Sequence, residues 1–212
     1  MRLTGFLCLA LCSVGVAVLA DHHQPCRGPD QMHGTLFVTA SKGAPTSVGE
    51  FHYDAKAKKL HFKDDEKHVN KTDHLEFLIL FDEGIFYDFD SHNLSCHKRT
   101  LGNNYHILEI PANSTHVTEG YLGHEFVGDQ GVRMRKWRKR IPELNGVLTV
   151  ATTSCGCLTL TGSLFTEADD VLLFTFLDVE TELRNPQVFV PPTYCERAAL
   201  EDETDTFFGL FH

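Results

Sequence analysis

From Leu75 to Asp90 the chain runs LEFLILFDEGIFYDFD, a segment that few architectures can accommodate. Leu75, Phe77, Ile79 and Phe81 share one face of an extended strand, because strand side chains alternate with a period of two. Asp82-Glu83-Gly84 supplies the turn, and Ile85, Tyr87 and Phe89 share a face on the way back. Leu78, Leu80 and Phe86 place apolar groups on the opposite faces as well. A hairpin that is greasy on both sides has to be covered on both sides, which calls for a sheet packed between layers.

The remainder reads in the same register. Leu36-Phe37-Val38 is a short strand. Phe51 and Tyr53 alternate with His52 and Asp54, the chain turns at Ala55 to Lys59, and Leu60-His61-Phe62 returns, giving a hairpin with one polar face. Further strands are expected at Tyr105 to Ile110, Glu119 to Leu122, Gly131 to Trp137, Val147 to Thr152, Leu158 to Phe165 and Val171 to Val179. Turn residues separate them at the short intervals of a sandwich or barrel. No helical period shows before Cys195, and neither an internal repeat nor a linker interrupts the chain. With 212 residues, 42% apolar and 23% charged, the expectation is a single all-β domain over 21–195. Strand spacing alone leaves a sandwich and a barrel both open. The tail 196–212 differs. It is acidic at Glu196, Glu201, Asp202, Glu203 and Asp205 and closes with Phe207, Phe208, Leu210 and Phe211, so a disordered segment or a short amphipathic helix is expected there.

The first twenty residues have the form of a secretory signal. Arg2 gives the positive start, Phe6 to Leu19 an apolar core, and Ala17-Val18-Leu19-Ala20 a small-residue cleavage site. Three Asn-x-Ser/Thr sequons, at Asn70, Asn93 and Asn113, agree with export and glycosylation. Removal of the signal takes Cys8 and Cys12 and leaves Cys26, Cys96, Cys155, Cys157 and Cys195. In an oxidising compartment these read as disulfide partners, and their odd number leaves one thiol free or joined to a second chain. Cys155-Gly156-Cys157 has one residue too few between its thiols for a redox motif, and no second ligand pair stands at zinc spacing.

Catalytic signatures are missing: no nucleophile elbow, no P-loop, no HExxH and no dinucleotide fingerprint. An excess of 29 acidic over 19 basic residues argues against nucleic acid as a partner. The thirteen histidines are spread along the chain and read as solvated strand-surface groups. Asp178, Glu180 and Glu182 alternate and could face one way from a strand toward calcium, or simply toward water. Against the overall charge, Arg133 to Arg140 (RMRKWRKR) holds Arg133, Arg135, Lys136, Arg138, Lys139 and Arg140. That run is a patch for sulfated glycans or acidic headgroups, a processing site, or an edge strand protected by charge. Sixteen phenylalanines fit a curved sheet around an apolar cleft for a lipid-like ligand, and equally a plain, well-packed sandwich.

These pieces together resemble the ependymins, secreted glycoproteins of fish brain fluid, and their relatives. The match extends from about Cys26 to Cys195. It rests on Phe51-His52-Tyr53-Asp54, Gly84 to Asp90, Cys96-His97-Lys98, Ile110 to Thr115, Gly131-Val132 with Trp137, and Gly156-Cys157. The block Asp178 to Cys195, with Asn185-Pro186-Gln187-Val188-Phe189-Val190-Pro191-Pro192, is the most specific. The resemblance implies an all-β fold of two stacked, curved antiparallel sheets, a half-barrel similar to bacterial lipoprotein carriers with a hydrophobic cleft, together with a homodimer, N-glycans, and calcium held by protein or by sugar. It further implies bridges Cys26–Cys157 and Cys96–Cys195, with Cys155 left over. The role it implies is non-enzymatic: extracellular-matrix and cell-adhesion functions, neural plasticity and regeneration. An extracellular hydrolase without a recognisable motif, or a purely adhesive matrix component, are the alternatives. The basic run and the acidic, Phe-ended tail depart from the family pattern.

Overall fold

A computed structural model describes residues 24–40, 47–65, 75–102, 108–128, 130–166, 171–183 and 185–205. The signal segment, Asn70 and the terminal phenylalanines lie outside the described residues. Among the described residues twelve strands are formed: β1 (Gln31–Ala40), β2 (Ser47–Asp54), β3 (Lys59–Asp64), β4 (Glu76–Leu80), β5 (Ile85–Asp90), β6 (Ser95–Leu101), β7 (Thr115–Gly123), β8 (Gly131–Ile141), β9 (Gly146–Thr153), β10 (Thr159–Thr166), β11 (Val171–Glu180) and β12 (Leu200–Asp205). Three short 3-10 turns, Pro142–Leu144, Pro186–Phe189 and Thr193–Arg197, complete the regular structure. Among the described residues no helix is long and apolar enough to cross a membrane.

All twelve strands belong to one sheet, in the order β12-β6-β5-β4-β3-β2-β1-β11-β10-β9-β8-β7. The two layers expected from the sequence are thus the two arms of a single open, curved sheet. The curvature has a physical cause. Twelve strands spaced about 4.8 Å apart would span roughly 50 Å if flat, and open sheets of that size curl. One face has to bury Leu36, Phe51, Phe62, Phe77, Phe86, Ile141, Val150, Leu164 and Phe174 in one cluster, each 2% exposed or less. Wrapping the sheet around them is how both arms share one core.

The hairpin from β4 to β5 is apolar on both sides, and both sides are covered. Phe77, Ile79 and Phe86 enter the main core, while Leu78, Leu80, Tyr87 and Phe89 form a second cluster with Phe189 and Cys195 on the back of the sheet. That second cover is the C-terminal crossing with its 3-10 turns, not another sheet. A disulfide between Cys96 and Cys195 (Cα–Cα 5.3 Å) ties the crossing to β6. Another joins Cys26 to Cys157 (Cα–Cα 5.9 Å), and Cys155 is free and exposed.

Three expectations change. Leu108 to Ile110 is irregular, not a strand. The polar face of the β2 and β3 hairpin is covered rather than solvated: His52 and His61 are each 8% exposed, and His61 stacks on Phe89 of the second cluster. The tail is neither disordered nor helical from Leu200 to Asp205, but forms β12, the one strand paired in parallel, against β6. Charge explains its seat: Glu201 takes His97 Nδ1 at 2.9 Å and Arg99 Nε at 3.3 Å.

Candidate functional site

A cavity of about 580 Å³ opens at one mouth of the curved sheet. Two irregular segments frame it. The first, Gln24 to Pro29, is pinned by the Cys26–Cys157 bridge, and Pro25 and Pro29 restrict its backbone. A β-carbon at Gly28 would stand 3.2 Å from the carbonyl oxygen of Cys157, so a small residue lets the segment approach β9 and β10 closely. The second, Leu108 to Ser114, is held from three directions. Thr159 Oγ1 donates to the Leu108 carbonyl at 2.8 Å, Ser114 Oγ to that of Pro111 at 2.6 Å, and Lys139 Nζ to that of Ala112 at 2.8 Å.

The floor is the core itself. Met32, Tyr53 and Leu108 are at most 3% exposed, and Pro25, Ala55 and Ile110 add apolar walls. Polar groups enter from both framing segments and from β2: Gln24, Arg27, Tyr53, Glu109, Asn113 and Ser114. Tyr53 donates its hydroxyl proton to Glu109 Oε1 at 2.5 Å, and burial followed by that hydrogen bond drives the phenol far above its ordinary range. Tyr53 therefore stays a neutral donor. Arg27 stands at the rim, paired with Asp30 at 3.0 Å. An apolar floor with one fixed polar pair suits an amphipathic molecule with a small headgroup. Deeper between the arms of the sheet lies the close-packed cluster of buried aromatic and aliphatic side chains.

Asn113 lines this cavity, exposed and at φ 59°, while Asn93 is exposed in the turn between β5 and β6 with its Oδ1 accepting from Ser95 N at 2.9 Å. Asp178, Glu180 and Glu182 are not brought together. Asp178 sits at φ 51° in a bulge opposite His33 and Thr35, which breaks the alternation that would align the three. Glu180 pairs with His33 at 3.5 Å, and the Glu182 carbonyl meets His33 Nδ1 at 2.6 Å. Among the described residues no three His, Cys, Asp or Glu side chains are grouped to hold a metal ion. The basic run is split by strand alternation: Arg133 and Arg135 flank Glu119 at 2.9 and 3.6 Å, whereas Lys136, Arg138 and Arg140 are exposed on the other face. Trp137 between them is buried at 1%.

A row of imidazoles on the back of the sheet escaped the sequence reading. His33, His52 and His61 are cross-strand neighbours on β1, β2 and β3, with ring centroids 5.7 and 6.0 Å apart. The signal was present, since the hairpin turn at Ala55 to Lys59 places His52 opposite His61. Each faces a carboxylate: Glu180, Glu50 at 3.5 Å and Glu76 at 3.4 Å, with Lys63 sharing Glu76. Burial depresses the His52 pKa; Glu50 opposes this, and His61 and His33 reinforce it. A group depressed in the fold takes its proton first in the unfolded chain, so stability is full above about pH 6.5 and falls as pH drops below that value. The thermal midpoint is expected to decline between about pH 7 and 5, and less steeply in His52→Leu. An equally steep decline in that variant would remove His52 from the account.

The ependymin family model matches residues 69–195. The ependymin of Clupea harengus is 71% identical over 213 residues, covering 100% of each chain. That of Notemigonus crysoleucas is 44% identical over 215 residues, again covering 100% of each. Among solved structures, an uncharacterized conserved protein from Thermus thermophilus aligns at TM-score 0.46 and 9% identity, over 82% of this chain and 91% of that one. A putative outer membrane lipoprotein-sorting protein domain from Vibrio parahaemolyticus aligns at TM-score 0.37 and 7% identity, over 74% and 88%. Both structural likenesses are too remote to bear on a ligand. With the family model spanning more than half of the sequence and relatives matching end to end, the chain belongs to the ependymin family.

Proposed function

We propose that the protein is a secreted, non-enzymatic glycoprotein of the extracellular matrix and of cell adhesion that carries an amphipathic, lipid-like ligand at the mouth of its sheet. The cavity of about 580 Å³ floored by Met32, Tyr53 and Leu108 carries this reading. Burial of an acyl chain there is worth about 25 cal/mol per Å², and the Tyr53–Glu109 pair orients the polar end. The signal segment, the sequons and two long-range disulfides support export. Calcium association is read as a property of the N-glycans, since Asp178, Glu180 and Glu182 are not assembled into a ligand set. The exposed Cys155 thiol makes the protein a covalent homodimer.

Native mass spectrometry of the secreted protein, before and after reduction, tests these points together. The expected result is a dimer that reduction separates, with a lipid-sized adduct that Met32→Trp removes by filling the floor. A Cys155→Ser protein that remains a covalent dimer would refute the dimer, and an adduct-free mass would refute the carrier. A lipid-free protein that still adheres to matrix would be the adhesive component, and turnover of ester or glycosidic substrates would make it the hydrolase.

A further inference from the structure

The outward face of β8 carries a charge pattern that neither the core nor the mouth uses. Lys136, Arg138 and Arg140 alternate with the buried Trp137 and Ile141, so all three project from the convex side of the sheet. At about 6.8 Å per two residues they form a line of cations roughly 13 Å long. Glu119, the carboxylate on the neighbouring strand, lies on the opposite face, taken up by Arg133, Arg135 and the hydroxyl of Ser154. Beside the line, β9 presents Val147, Thr149 and Ala151, and β10 beyond it presents Thr161 and Ser163. A shallow groove of about 240 Å³ runs there, with Lys136 and Thr149 on its lining and Met134 and Leu173 as apolar walls.

We propose that this face docks a linear sulfated polysaccharide, with the three cations on successive sulfates and the groove under a sugar ring. The charge balance selects the occupant. The molecule carries a net charge of -10, so a flat anionic bilayer meeting it broadly would also meet that repulsion. A single extended chain touches the basic line alone, and at a Debye length of about 8 Å it is screened from most of the rest. The groove offers the hydroxyls of Thr149, Thr161 and Ser163 to a sugar's hydroxyl groups, and Leu122, Met134 and Leu173 to the C–H face of its ring. The reading is independent of the mouth cavity, which opens elsewhere.

The test uses the full secreted glycoprotein on immobilised heparin, with chemically desulfated heparin and phosphatidylserine vesicles as comparisons. Retention on heparin is expected, weakening about twentyfold between ~50 and ~200 mM salt if three charges are engaged, by the counterion-release relation for single strands. The variant Lys136→Gln/Arg138→Gln/Arg140→Gln should lose at least about tenfold in affinity, with its thermal midpoint and circular dichroism recorded to show that it stays folded. Arg133→Gln/Arg135→Gln should bind as the parent does. Equal binding to desulfated chains overturns the proposal, as does loss in the Arg133/Arg135 variant with none in the triple variant. Binding to the vesicles without binding to heparin, or a triple variant changed only in its dimerisation, also overturns it.

Discussion

Replacing both cysteines of the Cys26–Cys157 bridge by serine is expected to lower unfolding stability by about 2–4 kcal/mol. The bridge closes a sequence separation of 131 residues, and loop-closure entropy alone assigns about 4.7 kcal/mol to a loop of ~100 residues. Measured effects fall below that figure, because real unfolded chains keep some structure. The double variant is the right reagent. A single Cys26→Ser change would leave the Cys157 thiol two positions from the exposed Cys155, with only Gly156 between them, inviting a new pairing in place of the lost one. Urea denaturation compares the variant with its parent. The loss should extend beyond stability, since Gln24 to Pro29 forms one wall of the mouth. The variant is therefore expected to purify without a lipid-sized adduct while keeping its β-type circular dichroism. An unchanged denaturation midpoint would mean that Gln24 to Pro29 is held by other contacts, and the mouth would need another explanation.

The fold was legible where alternation was strong, and illegible where polar residues form strands for reasons outside the strand. β4 and β5 declare themselves through Phe77, Ile79, Phe86 and Phe89. β6, reading Ser95-Cys96-His97-Lys98-Arg99-Thr100-Leu101, has no apolar alternation and went unread. It is a strand because β5 pairs with it on one side and the acidic β12 on the other. The same pairing made a strand of residues 200–205, whose acidity pointed to disorder when only local composition was weighed. Cover on both sides was legible in the two-sided hairpin, but its source was not: the concave side is closed by the same continuous sheet and the back by the C-terminal crossing, because side-chain periodicity says that a face is covered without saying by what. The bridge pairing came from the family resemblance, since cysteine spacing by itself leaves the partners open. For the site, Tyr53 was legible as an inward residue beside Phe51. Its partner Glu109 was not, because an irregular segment 56 residues later brings it there. The alternation of Asp178, Glu180 and Glu182 is interrupted at Asp178 by a bulge, which strand periodicity cannot anticipate.

The second large effect is expected from Phe62→Ala, about 3–5 kcal/mol of lost stability. Phe62 is fully buried, stacks on Phe77 with centroids 5.3 Å apart, and lies over Gly49, where a β-carbon would come within 2.7 Å of its ring. Its neighbours are fixed by strand pairing on both sides, Phe51 across β2 and Phe77 across β4. They have little freedom to collapse into the space, which places the cost toward the upper end for aromatic-to-alanine changes. By contrast, Phe126→Ala should change stability by no more than about 0.5 kcal/mol, because Phe126 is 84% exposed. The pair of variants also discriminates between two pictures of the interior. If the phenylalanines fill the concave side as a close-packed core, the void left by Phe62→Ala stays dry. It should then bind a small aromatic such as benzene, which raises the thermal midpoint of that variant and not of the parent. Were the concave side a ligand chamber, a bound chain would relax into the vacated space and benzene would add nothing. A Phe62→Ala loss below about 1 kcal/mol, with no response to benzene, would therefore move the ligand from the mouth into the sheet's interior.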